Sequence, residues 1–154
     1  MIPMTSIHLV RHADAGRAPD EERPLTAEGH AQAERVARHL AGAGVTRILS
    51  SRYRRCLDTV APLAAELGLT VEIHDALSEE ADVDAAWSLI ESLDGTHSVI
   101  CSHGNILGPV LDRALRRGAA IDAGEWSCHK ASIWRLENDK DRPIARAVLV
   151  VSRA

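Results

Sequence analysis

Phenylalanine is absent from this sequence; tyrosine occurs once and tryptophan three times among 154 residues. A chain so poor in rings offers few surfaces for base stacking, and its core must be built from Leu, Val, Ile and Ala. Positive charge is also short, with 18 Lys and Arg against 22 Asp and Glu and a formal net charge of -4. Binding a nucleic-acid backbone needs a surplus of cations on one face, so no nucleic-acid partner is expected and any phosphate binding is local. The three cysteines, Cys56, Cys101 and Cys128, are odd in number and widely spaced. That excludes a dense disulfide scaffold and the close pairing of a zinc site, and makes reduced thiols in a cytoplasmic protein the natural reading. No apolar run approaches the roughly 18 residues of a membrane span, and residues 1–10 lack a basic segment followed by a long apolar stretch, so neither membrane insertion nor secretion is expected.

What is present suffices for a folded core: 45% of the residues are hydrophobic and 26% charged, within the range of soluble globular chains. The length fits one domain spanning 1–154. Ile7-His8-Leu9-Val10 reads as a buried strand with Arg11-His12 at its carboxyl end. A polar loop follows to Pro24, and its acidic run Asp20-Glu21-Glu22 reads as solvated loop. Thr26 has the character of an N-cap, opening a helix to about Ala43 whose Ala33, Val36, Ala37 and Leu40 form one apolar stripe.

The pattern then repeats. Val45–Leu49 predicts a second strand ended by Ser50-Ser51, and Cys56, Val60, Leu63, Ala64 and Leu67 mark one side of a helix stopping at Gly68. Leu69–His74 predicts a third strand, Val83–Leu93 a helix capped by Asp82, Ser98–Cys101 a fourth strand, and Asn105–Arg117 a fourth helix. This alternation implies an α/β fold: a three-layer domain with a mostly parallel central sheet flanked by helices. Ser132–Leu136 and Ile144–Val151 break the alternation and predict antiparallel strands near the C-terminus, as a hairpin or a sheet edge.

In open α/β sheets ligands bind beyond the carboxyl ends of the strands. Arg11 and His12 follow the first strand; Ser50, Ser51, Arg52, Arg54 and Arg55 the second; His103 and Gly104 the fourth. Two histidines and several arginines at one edge make an anion site. Arg pairs phosphoryl oxygens in a planar fork, and a neutral imidazole nitrogen attacks phosphorus without first losing a proton. A second imidazole can donate to an equatorial oxygen as charge accumulates, and helix starts near Ser51 and Asn105 would add backbone N–H groups.

At these residues a family resemblance becomes specific. Leu9-Val10-Arg11-His12 resembles the LVRH signature of the histidine phosphatase superfamily, also called phosphoglycerate mutase-like. Pro24-Leu25-Thr26 with Gly29 is similar to its PLT-x-x-G segment, Ser50-Ser51 with Arg55 and Thr59 to its SS-x-x-x-R-x-x-x-T segment, and Ser102-His103-Gly104 to its second-histidine motif. The resemblance implies His12 as nucleophile, Arg11, Arg55 and His103 as the phosphate pocket, and, from Leu77-Ser78-Glu79, Glu79 as proton donor. Glu80 is the immediate neighbour, and a slip of one residue would exchange the two. Arg55 is favoured over Arg52 and Arg54 by the family spacing alone, and Arg52 reads as a surface residue.

The remaining candidates have plainer readings. His8 lies within the first strand and reads as structural, and His129 beside Cys128 lacks the spacing of a metal site. Trp87, Trp126 and Trp134 read as packing residues, with Trp126 also placed to flank the pocket. Neither Ser50 nor Ser51 sits in a G-x-S-x-G elbow. Mutases of the family carry long insertions that shield the phosphoenzyme from water, for which this chain has little room, so hydrolysis is expected, with no metal and no cofactor. The chain's size and its RPLT segment resemble the short bacterial SixA-like phosphohistidine phosphatases, whereas Glu79 suits the poorer leaving group of a phosphate ester. Similar phosphatase modules joined to Nudix domains keep nucleotides open. The expected partner is thus a small phosphorylated substrate or a phosphohistidine protein, and a non-catalytic phosphate-binding regulatory module that keeps the pocket is the third reading.

Overall fold

In β1, Ser6–Arg11, every side chain but the last is buried. A strand covered on both faces belongs in the middle of a sheet, and that is its place. In the computed structural model, which describes residues 5–122 and 128–151, β1 pairs in parallel with β4, His97–Ser102, and antiparallel with β6, Ile133–Glu137. β2, Arg47–Ser50, and β3, Val71–Ile73, extend the parallel side; β7, Arg146–Val151, and β5, Ala120–Asp122, extend the other, giving the order β3-β2-β4-β1-β6-β7-β5.

The alternation of β1 assigns its side chains to two cores. Ile7 and Leu9 join Leu49, Ile100 and Leu136 beneath α3, Val83–Ser92, and α4, Gly104–Arg116. Val10 joins Ile48, Val99 and Ile133 beneath α1, Ala27–Leu40, and α2, Arg54–Leu67. The expected three layers, with helices on both faces of a mostly parallel sheet, are therefore present. Residues Ala33, Val36, Ala37 and Leu40 of α1 are all buried, as the stripe required.

Several local expectations change. The hairpin of β6 and β7 forms, yet it is not the sheet edge, because β5 pairs in parallel with β7 beyond it. Ala120-Ile121-Asp122 is too short and too exposed to carry a two-residue hydrophobic period, and an Arg146–Asp122 ion pair at 2.5 Å helps to hold it. α1 stops at Leu40 and α2 starts at Arg54, with Tyr53 rather than a serine as its N-cap. The acidic run Asp20–Glu22 is exposed, as solvated residues are, but folds into a short 3-10 turn. No helix among the described residues is long and apolar enough to cross a membrane.

The loop after β1 is stitched down on both sides. Thr26 caps α1 by accepting the Gly29 N–H at 3.0 Å and donates its hydroxyl to the Asp14 carboxylate at 2.7 Å. The Thr26 N–H reaches the Asp14 carbonyl at 3.0 Å, and Gln32 accepts the Asp14 N–H at 2.9 Å. Gly29 makes this approach possible, since a Cβ there would lie 2.0 Å from the Asp14 carbonyl oxygen. Backbone against backbone cannot yield as a side chain can. Gly29→Ala is therefore expected to cost about 3 kcal/mol of stability, read as a lowered denaturation midpoint in urea; an unchanged midpoint would mean that the loop is not fixed by this contact.

Candidate active site

His12 is the first residue beyond β1, and its backbone N–H continues the sheet by donating to the Ser102 carbonyl at 3.1 Å. Its Nδ1 lies 2.9 Å from the Ala13 carbonyl oxygen. A carbonyl only accepts, so Nδ1 carries the ring proton and Nε2 keeps its lone pair. The residue as a whole is 6% exposed. Burial pushes its pKa down to about 4, with the Arg55, Arg11 and Arg23 charges adding to that and the Ala13 hydrogen bond opposing it. At neutral pH His12 is uncharged.

His103 caps the start of α4 from the end of β4 and is buried, its ring 5.5 Å from that of His12 in an edge-on arrangement. Burial first, then the charge of Arg55, lowers its pKa to about 3. Its Nε2 meets the Ser51 hydroxyl at 2.9 Å, and its Nδ1 stands 3.4 Å from both a terminal nitrogen of Arg55 and Oε2 of Glu79.

Both arginines donate to backbone carbonyls, which orient a guanidinium without neutralising it, while Arg55 alone is also paired with carboxylates, those of Glu79 and Asp20. Arg11 donates to the Cys128 carbonyl at 2.8 Å, and Arg55, 1% exposed, to the Asp20 carbonyl at 2.8 Å. The acidic run is therefore more than solvated loop: Asp20 orients Arg55 through its carbonyl and lies 3.4 Å from it through its carboxylate. Gly104 lets Arg11 approach the first turn of α4, since a Cβ there would lie 3.0 Å from the Arg11 Cζ. The Nε atoms of Arg11 and Arg55 are buried with no hydrogen-bond partner among the described residues. Buried unpaired donors are costly, and an anion between the two side chains would relieve that cost.

Of the three arginines after β2, only Arg55 enters this cleft. Arg52 is tied to Glu21 at 2.8 Å, to Ser78 at 2.6 Å and to Glu80, while Arg54 pairs with Asp58 at 3.2 Å on the exposed side of α2. The two neighbouring glutamates part in the same way. Glu79 lines the cleft and pairs with Arg55, its backbone carbonyl held by the Asn105 side chain at 2.8 Å. Glu80 turns outward to Arg52 and to the Tyr53 hydroxyl at 2.8 Å, and these hydrogen bonds lower its pKa to about 2.

The cleft, about 550 Å³, is lined by all five residues singled out from the sequence, His12, His103, Arg11, Arg55 and Glu79, together with Arg23, Lys130 and Asn105. Arg23 and Lys130 escaped the sequence reading. Arg23 lies within a recognised segment but carries no spacing of its own, and Lys130 reaches Asp14 at 3.1 Å across 116 positions of chain, a distance no local pattern bridges. His8 is buried in β1 and its pKa is pushed to about 4 by burial, in keeping with a structural residue. Trp87 and Trp134 are buried in the core, whereas Trp126 lies outside the described residues. Among the described residues no cluster of His, Cys, Asp and Glu is placed to hold a metal ion.

The model of the histidine phosphatase superfamily (branch 1) matches residues 7–83, and the chain belongs to that superfamily. An 8-oxo-(d)GTP phosphatase of Mycolicibacterium smegmatis is 31% identical over 157 aligned residues, covering 96% of this chain and 44% of the relative. The chain spans less than half the length of the curated relatives it matches. Among solved structures, the protein histidine phosphatase SixA complexed with tungstate aligns at a TM-score of 0.75 with 21% identity, over 97% of this chain and 96% of that one. Phosphoserine phosphatase from Entamoeba histolytica in complex with 3-phosphoglyceric acid aligns at 0.71 with 15% identity, over 97% of each chain. These two establish likeness of fold.

Protonation of the buried rings gives a direct check. His8, His12 and His103 bind protons less readily folded than unfolded. The unfolded chain therefore takes up more protons below a pH of about 6.5, and stability is lost as pH falls from there towards 4. NMR titration is expected to show the His12 and His103 rings neutral down to a pH of about 5 while the fold persists; titration of either near 6.5 would contradict the burial described.

Proposed function

We propose that this chain is a phosphatase that accepts a phosphoryl group on Nε2 of His12 and passes it to water. The observation that carries the reading is the His12 Nδ1 bond to the Ala13 carbonyl, which leaves Nε2 as a neutral nucleophile in a cleft shared with Arg11, Arg55 and His103. Arg11 and Arg55 bind the phosphoryl oxygens, and His103 donates to one of them as charge builds in the transition state.

In the first step Nε2 bonds to phosphorus and the bond to the leaving oxygen breaks, that oxygen taking a proton from Glu79. In the second, water attacks phosphorus, the P–N bond returns its electron pair to Nε2, and the Glu79 carboxylate takes the proton from the water. A phosphoryl dianion competes with Glu79 for Arg55, and like charges side by side favour a protonated carboxyl, the form that can donate.

Small phosphate esters, nucleotides among them, are the proposed substrates. The 8-oxo-(d)GTP phosphatase relative supports this, as does a proton donor, which a poor alkoxide leaving group needs and an imidazole leaving group needs far less. Arg23 and Lys130 add cationic character at the same cleft. A single functional unit is supported by the one seven-stranded sheet that carries every residue of the proposed site or the loop beside it.

The test is phosphate release from an alkyl phosphate, nucleoside phosphates and a phosphohistidine peptide. Turnover of the esters is expected, with His12→Ala lowering it by about 1,000-fold or more. Glu79→Gln is expected to slow the alkyl ester about 100-fold and the phosphohistidine peptide little. Retained turnover in His12→Ala would overturn the mechanism. A wild-type enzyme active on the peptide alone would replace the ester reading with a protein phosphohistidine phosphatase.

A further inference from the structure

A neutral imidazole has one N–H, and His103 can serve a phosphoryl oxygen only if that hydrogen sits on the nitrogen facing the cleft. Nδ1 is that nitrogen: it stands 3.4 Å from Glu79 Oε2, which can accept its hydrogen, whereas the Arg55 nitrogen at the same distance can only donate and is turned to Glu79 instead. Nε2 faces into the protein, 2.9 Å from Ser51 Oγ and 3.6 Å from Cys56 Sγ. Burial keeps the ring from holding a second proton near neutrality, so a choice between the two nitrogens has to be made and held.

Ser51 makes that choice. Its side chain is fully buried, and its oxygen already accepts the Tyr53 N–H at 3.2 Å. The hydroxyl proton then has one acceptor within hydrogen-bond distance among the described residues, and that acceptor is His103 Nε2. We infer that Ser51 is a positioning residue: by donating to Nε2 it confines the His103 proton to Nδ1, where it points at the phosphoryl group. The inference rests on the proposed role of His103 as phosphate donor. It also gives the second serine of the SS-x-x-x-R segment a physical task, since Ser50 instead donates to the Ser51 carbonyl at 2.9 Å. The chain from the Tyr53 amide through Ser51 to His103 runs in one direction, each donor satisfied, and ties the N-terminus of α2 to that of α4.

The tautomer can be read without any activity measurement. In uniformly ¹⁵N-labelled protein at neutral pH, long-range ¹H–¹⁵N spectra are expected to show His103 with a pyrrole-type Nδ1 and a pyridine-type Nε2. Ser51→Ala is expected to move the proton wholly or partly to Nε2, and Ser51→Thr, which keeps the hydroxyl, to restore it to Nδ1. Cys56→Ala is expected to leave the tautomer unchanged. On a phosphate ester, Ser51→Ala should lower kcat about 10- to 100-fold with a smaller change in KM, because the lost donor acts on charge that develops in the transition state. A wild-type His103 protonated on Nε2 would overturn the inference with no variant needed, and so would an unchanged tautomer in Ser51→Ala. Absence of any phosphatase turnover in the wild type would remove the proposed function while leaving the tautomer result to be judged by the spectra.

Discussion

The carbonyl oxygen of Ala13 decides what His12 can do. By taking the Nδ1 proton at 2.9 Å it leaves the lone pair on Nε2, and much of the surrounding structure serves to keep that carbonyl in place. The Ala13 N–H donates to Thr59 Oγ1 at 2.9 Å, and the Thr59 hydroxyl donates in turn to the Arg55 carbonyl at 2.6 Å. The next residue, Asp14, is held by Thr26 and Gln32 of the α1 region and approached closely by Gly29. Residues scattered through the sequence, Thr26, Gly29, Gln32 and Thr59, thus act on three consecutive peptide groups, the middle one being that of the Ala13 carbonyl.

The electrostatics follow from the same economy. Two imidazoles in a site with two arginines stay neutral because burial disfavours their charged forms and the guanidiniums add to that effect. Positive charge is supplied by residues that cannot lose it, while the residues proposed as nucleophile and donor are ones that have not gained it. Arg11 and Arg55 are oriented in part by carbonyls, those of Cys128 and Asp20; Arg55 is also paired with the carboxylates of Glu79 and, at 3.4 Å, Asp20. The charge available to an incoming anion is therefore partly covered by the group assigned the proton-transfer role, which links substrate binding to the freeing of Glu79.

Much of this was legible from the sequence, for definite reasons. Strand-forming runs followed at once by Arg11-His12, Ser50-Ser51 and Ser102-His103 place those residues at one sheet edge whatever the exact element boundaries, and Thr26, Asp82 and Gly68 act as the caps their chemistry suits. The choice between Glu79 and Glu80 was not legible from periodicity: two adjacent residues point to different sides according to the turn before them, and here a 3-10 turn at Asp75–Leu77 precedes the segment. Lys130 and β5 depend on contacts across long stretches of chain, and the direction of the Ser51 hydroxyl depends on which neighbours lie within 3 Å or so of it. Local pattern carries none of these.

The central claim is that His12 reacts through Nε2 because Nδ1 is committed to the Ala13 carbonyl. The most direct test is ³¹P NMR of the phosphoenzyme trapped by rapid denaturation in base during turnover of a phosphate ester. The account predicts one phosphohistidine, at His12, with phosphorus on Nε2. Phosphate on Nδ1 of His12, or on any other residue, would contradict it.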